Sequence, residues 1–96
     1  MTDIAAISLD DFAVLVDDYG TRTEVFCCER PVMASEFFKA SQQGIENIRE
    51  IIINSDEYDN QMRVEFGGVL YCIYRTYPRL DGYTELYINE RAGVMM

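Results

Sequence analysis

The stretch Gln61–Pro78, QMRVEFGGVLYCIYRTYP, decides the fold class. In its first arm Met62, Val64 and Phe66 fall on one row, and Gln61, Arg63 and Glu65 on the other. That period of two marks a strand with one buried face. Gly67-Gly68 between the arms permits the positive φ angles of a primed two-residue turn, whose twist matches that of paired strands. The returning arm runs from Val69 to about Tyr77, where Pro78, lacking an amide donor, stops it. One of its rows carries Val69, Tyr71, Ile73, Arg75 and Tyr77; the other carries Leu70, Cys72, Tyr74 and Thr76. Neither row is purely polar, which predicts a central strand partly covered on both faces. Arg75 among tyrosines is expected to be a structural tie that needs a carboxylate or carbonyl partner.

Outward from this hairpin the same grammar repeats. Downstream, RLDG makes a turn, and Thr84, Leu86 and Ile88 then alternate with Glu85, Tyr87 and Asn89. Upstream, DDFAVLVDDYGTRTEVFCCERP reads as two strands around the turn Asp17–Thr21, with Ala13 and Leu15 opposing Phe12, Val14 and Val16. Thr23, Val25 and Cys27 oppose Glu24, Phe26 and Cys28, and Pro31 ends the pairing. In ENIREIIIN the rows Ile48, Glu50, Ile52 and Arg49, Ile51, Ile53 are both mixed, as for a strand whose second face is covered or that leaves the core partway.

MASEFFKASQQG breaks the alternation. Ser35 is read as an N-cap, Glu36 lies in the first turn where the helix dipole favours acid, and Gly44 closes the far end. A helix this short holds only by docking. Adjacent Phe37 and Phe38 cannot share one narrow stripe, so they either plug the core or form an exposed docking element. The expected fold is mainly β: one domain over residues 1–96, a small antiparallel barrel or sandwich of five to six strands. A helical excursion at 34–45 interrupts it, and the lead 1–10 has no assigned place.

The chain carries 17 acidic and 8 basic residues, net −9, and 49% hydrophobic residues. That composition fits a folded core and disfavours free nucleic acid, whose binding depends on Lys and Arg displacing counterions. The longest apolar run is the six residues Val69–Tyr74, too short to cross a membrane, and the acidic start predicts no secretory signal. Three cysteines without a CxxC pair, and no histidine at all, argue against a zinc site and against the usual nucleophile–base pairs. The cysteines read as small hydrophobes in a reducing compartment. The acidic turn SDEYDN places oxygens at Asp56, Asp59 and Asn60. It lacks the central glycine and distal glutamate of a calcium loop. No cofactor or metal is expected.

An ordered set of these elements resembles siphophage head-closure proteins, also called head–tail joining, connector or stopper proteins. Ser35, Phe37, Phe38, Ala40, Gln42 and Gly44 match the family's helical stretch, and Glu57-Tyr58 its turn after a strand. Gly68, Tyr71, Ile73, Tyr74, Arg75, Thr76 and Tyr77 match its tyrosine-rich hairpin; Glu85, Leu86, Tyr87 and Arg91 match its closing segment. Asp18-Tyr19-Gly20 fits the turn after the first strand. The likeness spans about Asp11 to Arg91. It departs at Gly44-Ile45-Glu46-Asn47, where family members often carry a proline, and Thr2–Leu9 matches nothing.

The resemblance implies a β-barrel with an extended excursion and a role in assembly, with no substrate turned over. Copies would form a homo-oligomeric ring beneath the portal and adaptor, close the filled head and offer a surface to a tail-completion protein. The protein would be made in the bacterial host cytoplasm and reside in the virion neck. The implied contacts are Ser35, Glu36, Phe37, Phe38, Lys39, Gln42, Gln43, Gly44 and Ile45. Asp17, Asp18, Asp56, Glu57 and Asp59 would line the lumen, past which genomic DNA moves without specific binding. A tail-terminator or adaptor role in the same neck is the nearest alternative. Outside it stand an acidic DNA mimic that blocks a host DNA-binding protein, and an enzyme using paired carboxylates.

Overall fold

Six strands close into an antiparallel barrel in the order β1-β2-β3-β6-β5-β4, with β4 returning to pair with β1. The computed structural model describes residues 7–90; Arg91 and most of the lead 1–10 lie outside the described residues. In chain order the elements are β1 (Asp11–Val16), β2 (Arg22–Arg30), α1 (Ala34–Gln42), β3 (Ile48–Asn54), a 3-10 turn (Ser55–Glu57), β4 (Arg63–Phe66), β5 (Val69–Pro78) and β6 (Tyr83–Asn89). Among the described residues no helix is long and apolar enough to cross a membrane.

The alternating rows become the inside and outside of the barrel. Ala13 and Leu15, Val25 and Cys27, Ile51 and Ile53, Val64 and Phe66, Tyr71 and Ile73, and Leu86 and Ile88 form one core, two residues from each strand. The hairpin β4–β5 turns through Gly67 at φ +61° and Gly68 at φ +82°, the conformation that the missing Cβ atoms make cheap. Met62 departs from the expected row: it precedes the strand and lies exposed.

The connection from β3 to β4 joins strands on opposite sides of the ring, so Ser55–Met62 spans one mouth of the barrel. Tyr58 packs from it onto the core and donates its hydroxyl to the Gln61 carbonyl at 2.7 Å. At the other mouth Arg49 lies over the rings of Phe66 and Tyr71, 5.7 and 5.9 Å from their centroids. It donates to the Tyr71 hydroxyl at 2.7 Å and to Glu29 at 2.8 Å. Both mouths are thus stoppered by side chains.

β5 corrects the simple alternation. Ile73 pairs with Ile88 and Arg75 with Tyr87, so Tyr74 and Arg75 together oppose a single residue of β6. This bulge shifts the phase of the strand. Beyond it Thr76 pairs with the core residue Leu86, while Arg75 and Tyr77 join Tyr87 and Glu85 on the outer row. The expected row of Val69, Tyr71, Ile73, Arg75 and Tyr77 therefore breaks after Ile73.

Candidate interaction site

The excursion leaves β2 and returns to β3, yet its helix touches β5, so it lies across the outer side of the β3–β6–β5 wall. There Ile48, Glu50, Ile52 and Tyr87 point away from the core and are buried nonetheless. The mixed rows of β3 reflect this second covering.

Helix α1 begins two residues earlier than its sequence advertises. The Phe37 amide donates to the Met33 carbonyl at 3.0 Å, which puts Met33 in the N-cap position without any side-chain cap. Ser35 is therefore the second helical residue, exposed, and caps nothing. The far end does close at Gly44, which sits at φ +77°. Its amide reaches the Ser41 carbonyl at 3.0 Å and the Ile45 amide reaches Ala40 at 2.8 Å, the paired bonds of a Schellman motif.

The helix is amphipathic in the inverted sense. Its buried residues are Glu36 and Ala40, whereas Phe37 and Phe38 are 58% and 72% exposed. Of the two expectations for the phenylalanines, the structure shows the exposed one. Ala34, Phe37, Phe38 and Ser41 line a shallow apolar hollow on the solvent side. On the barrel side Glu36, Lys39, Gln42 and Gln43 face Tyr74 and Arg75 across a cleft of about 260 Å³. Ile45 is half-buried at the return to β3.

Glu36 is the tie between the two bodies. It accepts a hydrogen bond from the Tyr74 hydroxyl at 2.7 Å and from Arg75 Nη2 at 2.5 Å. The Arg75 guanidinium lies 4.2 Å from the centroid of the Tyr87 ring, a cation–π contact. The bulge makes this possible: a regular strand would send Tyr74 and Arg75 to opposite faces, whereas here both reach one carboxylate. Burial alone would raise the Glu36 carboxyl, but the hydrogen bonds from Arg75 and Tyr74 outweigh it and hold the pKa below the usual value. The Tyr74 hydroxyl is pushed up by burial and by that same carboxylate. Glu50, buried beside this cluster, is raised by burial and then by Glu85.

Sequence reasoning placed Arg75 as a tie but did not find its partner. From the residues alone Glu36 reads as a favourable charge at a helix start, and from the resemblance as an outward contact; the structure instead buries it against β5. The missed signal is the only acid of a short aromatic helix, in a chain whose β5 carries an arginine that needs a partner.

The acidic candidates gather by topology. The β1–β2 turn, the Ser55–Met62 connection and the β5–β6 turn all emerge from the same mouth of the barrel. Asp17, Asp18 and Asp59 line one surface hollow there, with Asp56, Glu57 and Asp81 exposed on the neighbouring turns. Asp17 Oδ1 accepts the amides of Tyr19 and Thr21 at 2.9 and 2.8 Å, so it shapes its own turn. Among the described residues no group of three His, Cys, Asp or Glu side chains is placed to hold a metal ion. Cys27 lies in the core with its thiol pushed up to about 12 by burial, and all three cysteines are free.

Comparison with protein-family models, with curated proteins and with solved structures finds no match to this chain.

Proposed function

We propose that the chain is a structural protein of a siphophage neck, assembling as a ring below the portal and adaptor and offering a seat to the tail. The observation that carries this reading is the inverted helix: a buried, charge-paired Glu36 pins α1 to a closed barrel, and its aromatic side is left facing out. A helix built for its own fold turns its apolar stripe inward. One that turns it outward presents a surface to another protein. The ordered sequence resemblance to head-closure proteins supplies the identity of that protein class. In this reading no substrate is turned over.

The acidic mouth fits the same role. Each copy brings a net charge of −9. A ring that turned Asp17, Asp18, Asp56, Glu57 and Asp59 toward its axis would repel phosphates and let DNA pass without adhesion. The test is native mass spectrometry and light scattering of the protein with a purified siphophage portal–adaptor assembly. Binding in a ring stoichiometry is expected; a protein that never binds the assembly removes the reading.

The gathering of acids at one mouth also favours a second reading, a DNA mimic that blocks a host DNA-binding protein. Competition between excess duplex DNA and the chain for a host enzyme is its signature.

A further inference from the structure

Two carboxylates meet where α1 covers the barrel wall, and they are held in opposite ways. Glu36, on the helix, accepts from the Tyr74 hydroxyl and from Arg75, and Lys39 of the same helix adds a favourable charge. Glu50, on β3, is only 4% exposed and takes no hydrogen bond from any described residue. Its cross-strand neighbours are Arg30 of β2 and Tyr87 of β6. Glu85 of β6 and Glu36 of α1 oppose its charge, whereas Arg30 and Arg79 favour it. Arg79 is already engaged by Asp81 and Glu85. The Tyr87 ring joins the two sites: Arg75 lies 4.2 Å from its centroid, and its hydroxyl donates to Glu85 at 2.6 Å.

The grip of the helix is narrow. Of its nine residues only Glu36 and Ala40 are buried, with Val32 and Ile45 half-buried where the excursion leaves and rejoins the sheet. None of its residues belongs to the barrel core, and the ring of six strands closes without it. A segment with so few buried side chains, joined through exposed linkers, opens at a lower free energy than the sheet it rests on.

We propose that α1 is a pH-governed latch: it opens as a unit from an intact barrel, released on the acid side by protonation of Glu36 and on the neutral side by ionisation of Glu50. The two groups act with opposite sign. The Glu36 carboxyl lies below its ordinary value when α1 is shut, so its contribution is complete above that ordinary value and is lost as pH falls through the lowered one. The Glu50 carboxyl is raised by burial and then by Glu85, so its charge weakens docking at neutral pH and its protonation restores docking as pH falls through the raised value. Docking is therefore tightest near the ordinary glutamate value, about 4.3, and loosens on either side. The latch needs only the barrel and its helix and stands apart from the neck reading.

Amide hydrogen exchange read by NMR from about pH 3 to about pH 7 tests it, with each rate divided by that of an unstructured amide. The amides of residues 38–42 report the helix, and those of Ile51 and Leu86 report the barrel. The helix amides are expected to be at least about tenfold less protected than the barrel amides at every pH, and their protection passes through a maximum. Glu36→Gln removes the acid limb and lowers helix protection at the maximum about tenfold. Glu50→Gln removes the neutral limb and raises helix protection at neutral pH. Helix amides that exchange together with Ile51 and Leu86, or a helix protection that does not change with pH, overturn the proposal. So does a limb that survives the substitution meant to remove it. A neutral limb present in the Ile51 and Leu86 amides and absent from the helix shows that the barrel alone buries Glu50, and overturns it as well.

Discussion

Two ion pairs in this barrel share a separation of 2.5 Å and differ in surroundings, which makes a controlled experiment. Arg75–Glu36 ties helix to barrel with a carboxylate only 8% exposed, whereas in Arg22–Glu65 both side chains stand in solvent. A double-mutant cycle on each pair, read by urea denaturation with far-UV circular dichroism, isolates what burial contributes. Glu36→Gln keeps an acceptor for the Tyr74 hydroxyl, so the cycle with Arg75→Met reports the charge pairing. A hydrogen bond to a charged group contributes about 1.5–3 kcal/mol. Arg75 is still 42% exposed and partly screened, which lowers the expected coupling to about 1–2 kcal/mol. For a chain of this size that corresponds to a fall of about 1 M in the urea midpoint. The cycle of Glu65→Gln with Arg22→Met is expected to show no coupling above error. The Glu36 carboxyl sits below its ordinary pKa, so the contribution is complete above the unfolded value and is lost as pH falls through the lowered folded value. Equal couplings for the two pairs, or an Arg75–Glu36 coupling of zero at neutral pH, would refute the account of the tie.

Other expectations follow from the same geometry. Glu50→Gln raises the melting temperature at neutral pH, because burial and Glu85 disfavour the charged form. The gain disappears on acidification through the raised folded pKa, where the wild type takes up its own proton; an increasing gain at low pH would contradict this. Gly44→Ala costs about 1 kcal/mol in denaturant titrations through its positive φ, since no atom lies within 4 Å of the added Cβ. Leu86→Ala costs about 2–5 kcal/mol, whereas Phe38→Ser changes stability by less than about 0.5 kcal/mol. A large loss from Phe38→Ser would place that ring inside the fold and undo the inverted helix.

The barrel was legible because most of its strands keep strict alternation and most turns carry their own chemistry. Gly67-Gly68 and the Leu86–Ile88 row needed no tertiary information. The closure of six strands was not legible, since pairing between β4 and β1 depends on the long path of Ser55–Met62, which no local pattern encodes. The bulge on β5 hid for a related reason. VLYCIYRTYP has apolar and polar residues in both rows, so a one-residue slip leaves no mark in hydrophobicity alone. At the helix, Ser35 outranks Met33 as a cap by intrinsic preference. The docking of Glu36 onto Tyr74 and Arg75 nonetheless fixes the register, and Met33 takes the position. The outward turn of Phe37 and Phe38 ran against the usual burial of aromatics, and only the partner of Glu36 explains it.

The bulge at Tyr74 separates two tasks within one strand. Removing that single residue would leave Ile73 opposite Ile88 and Arg75 opposite Tyr87, with inward and outward positions still in alternation. The barrel does not need Tyr74; the excursion does. One extra residue at this point of β5 therefore leaves the barrel's pairing intact and creates a seat for an acidic helix. A relative one residue shorter here would keep the barrel, lose the hydroxyl at this seat, and hold any helix by Arg75 alone.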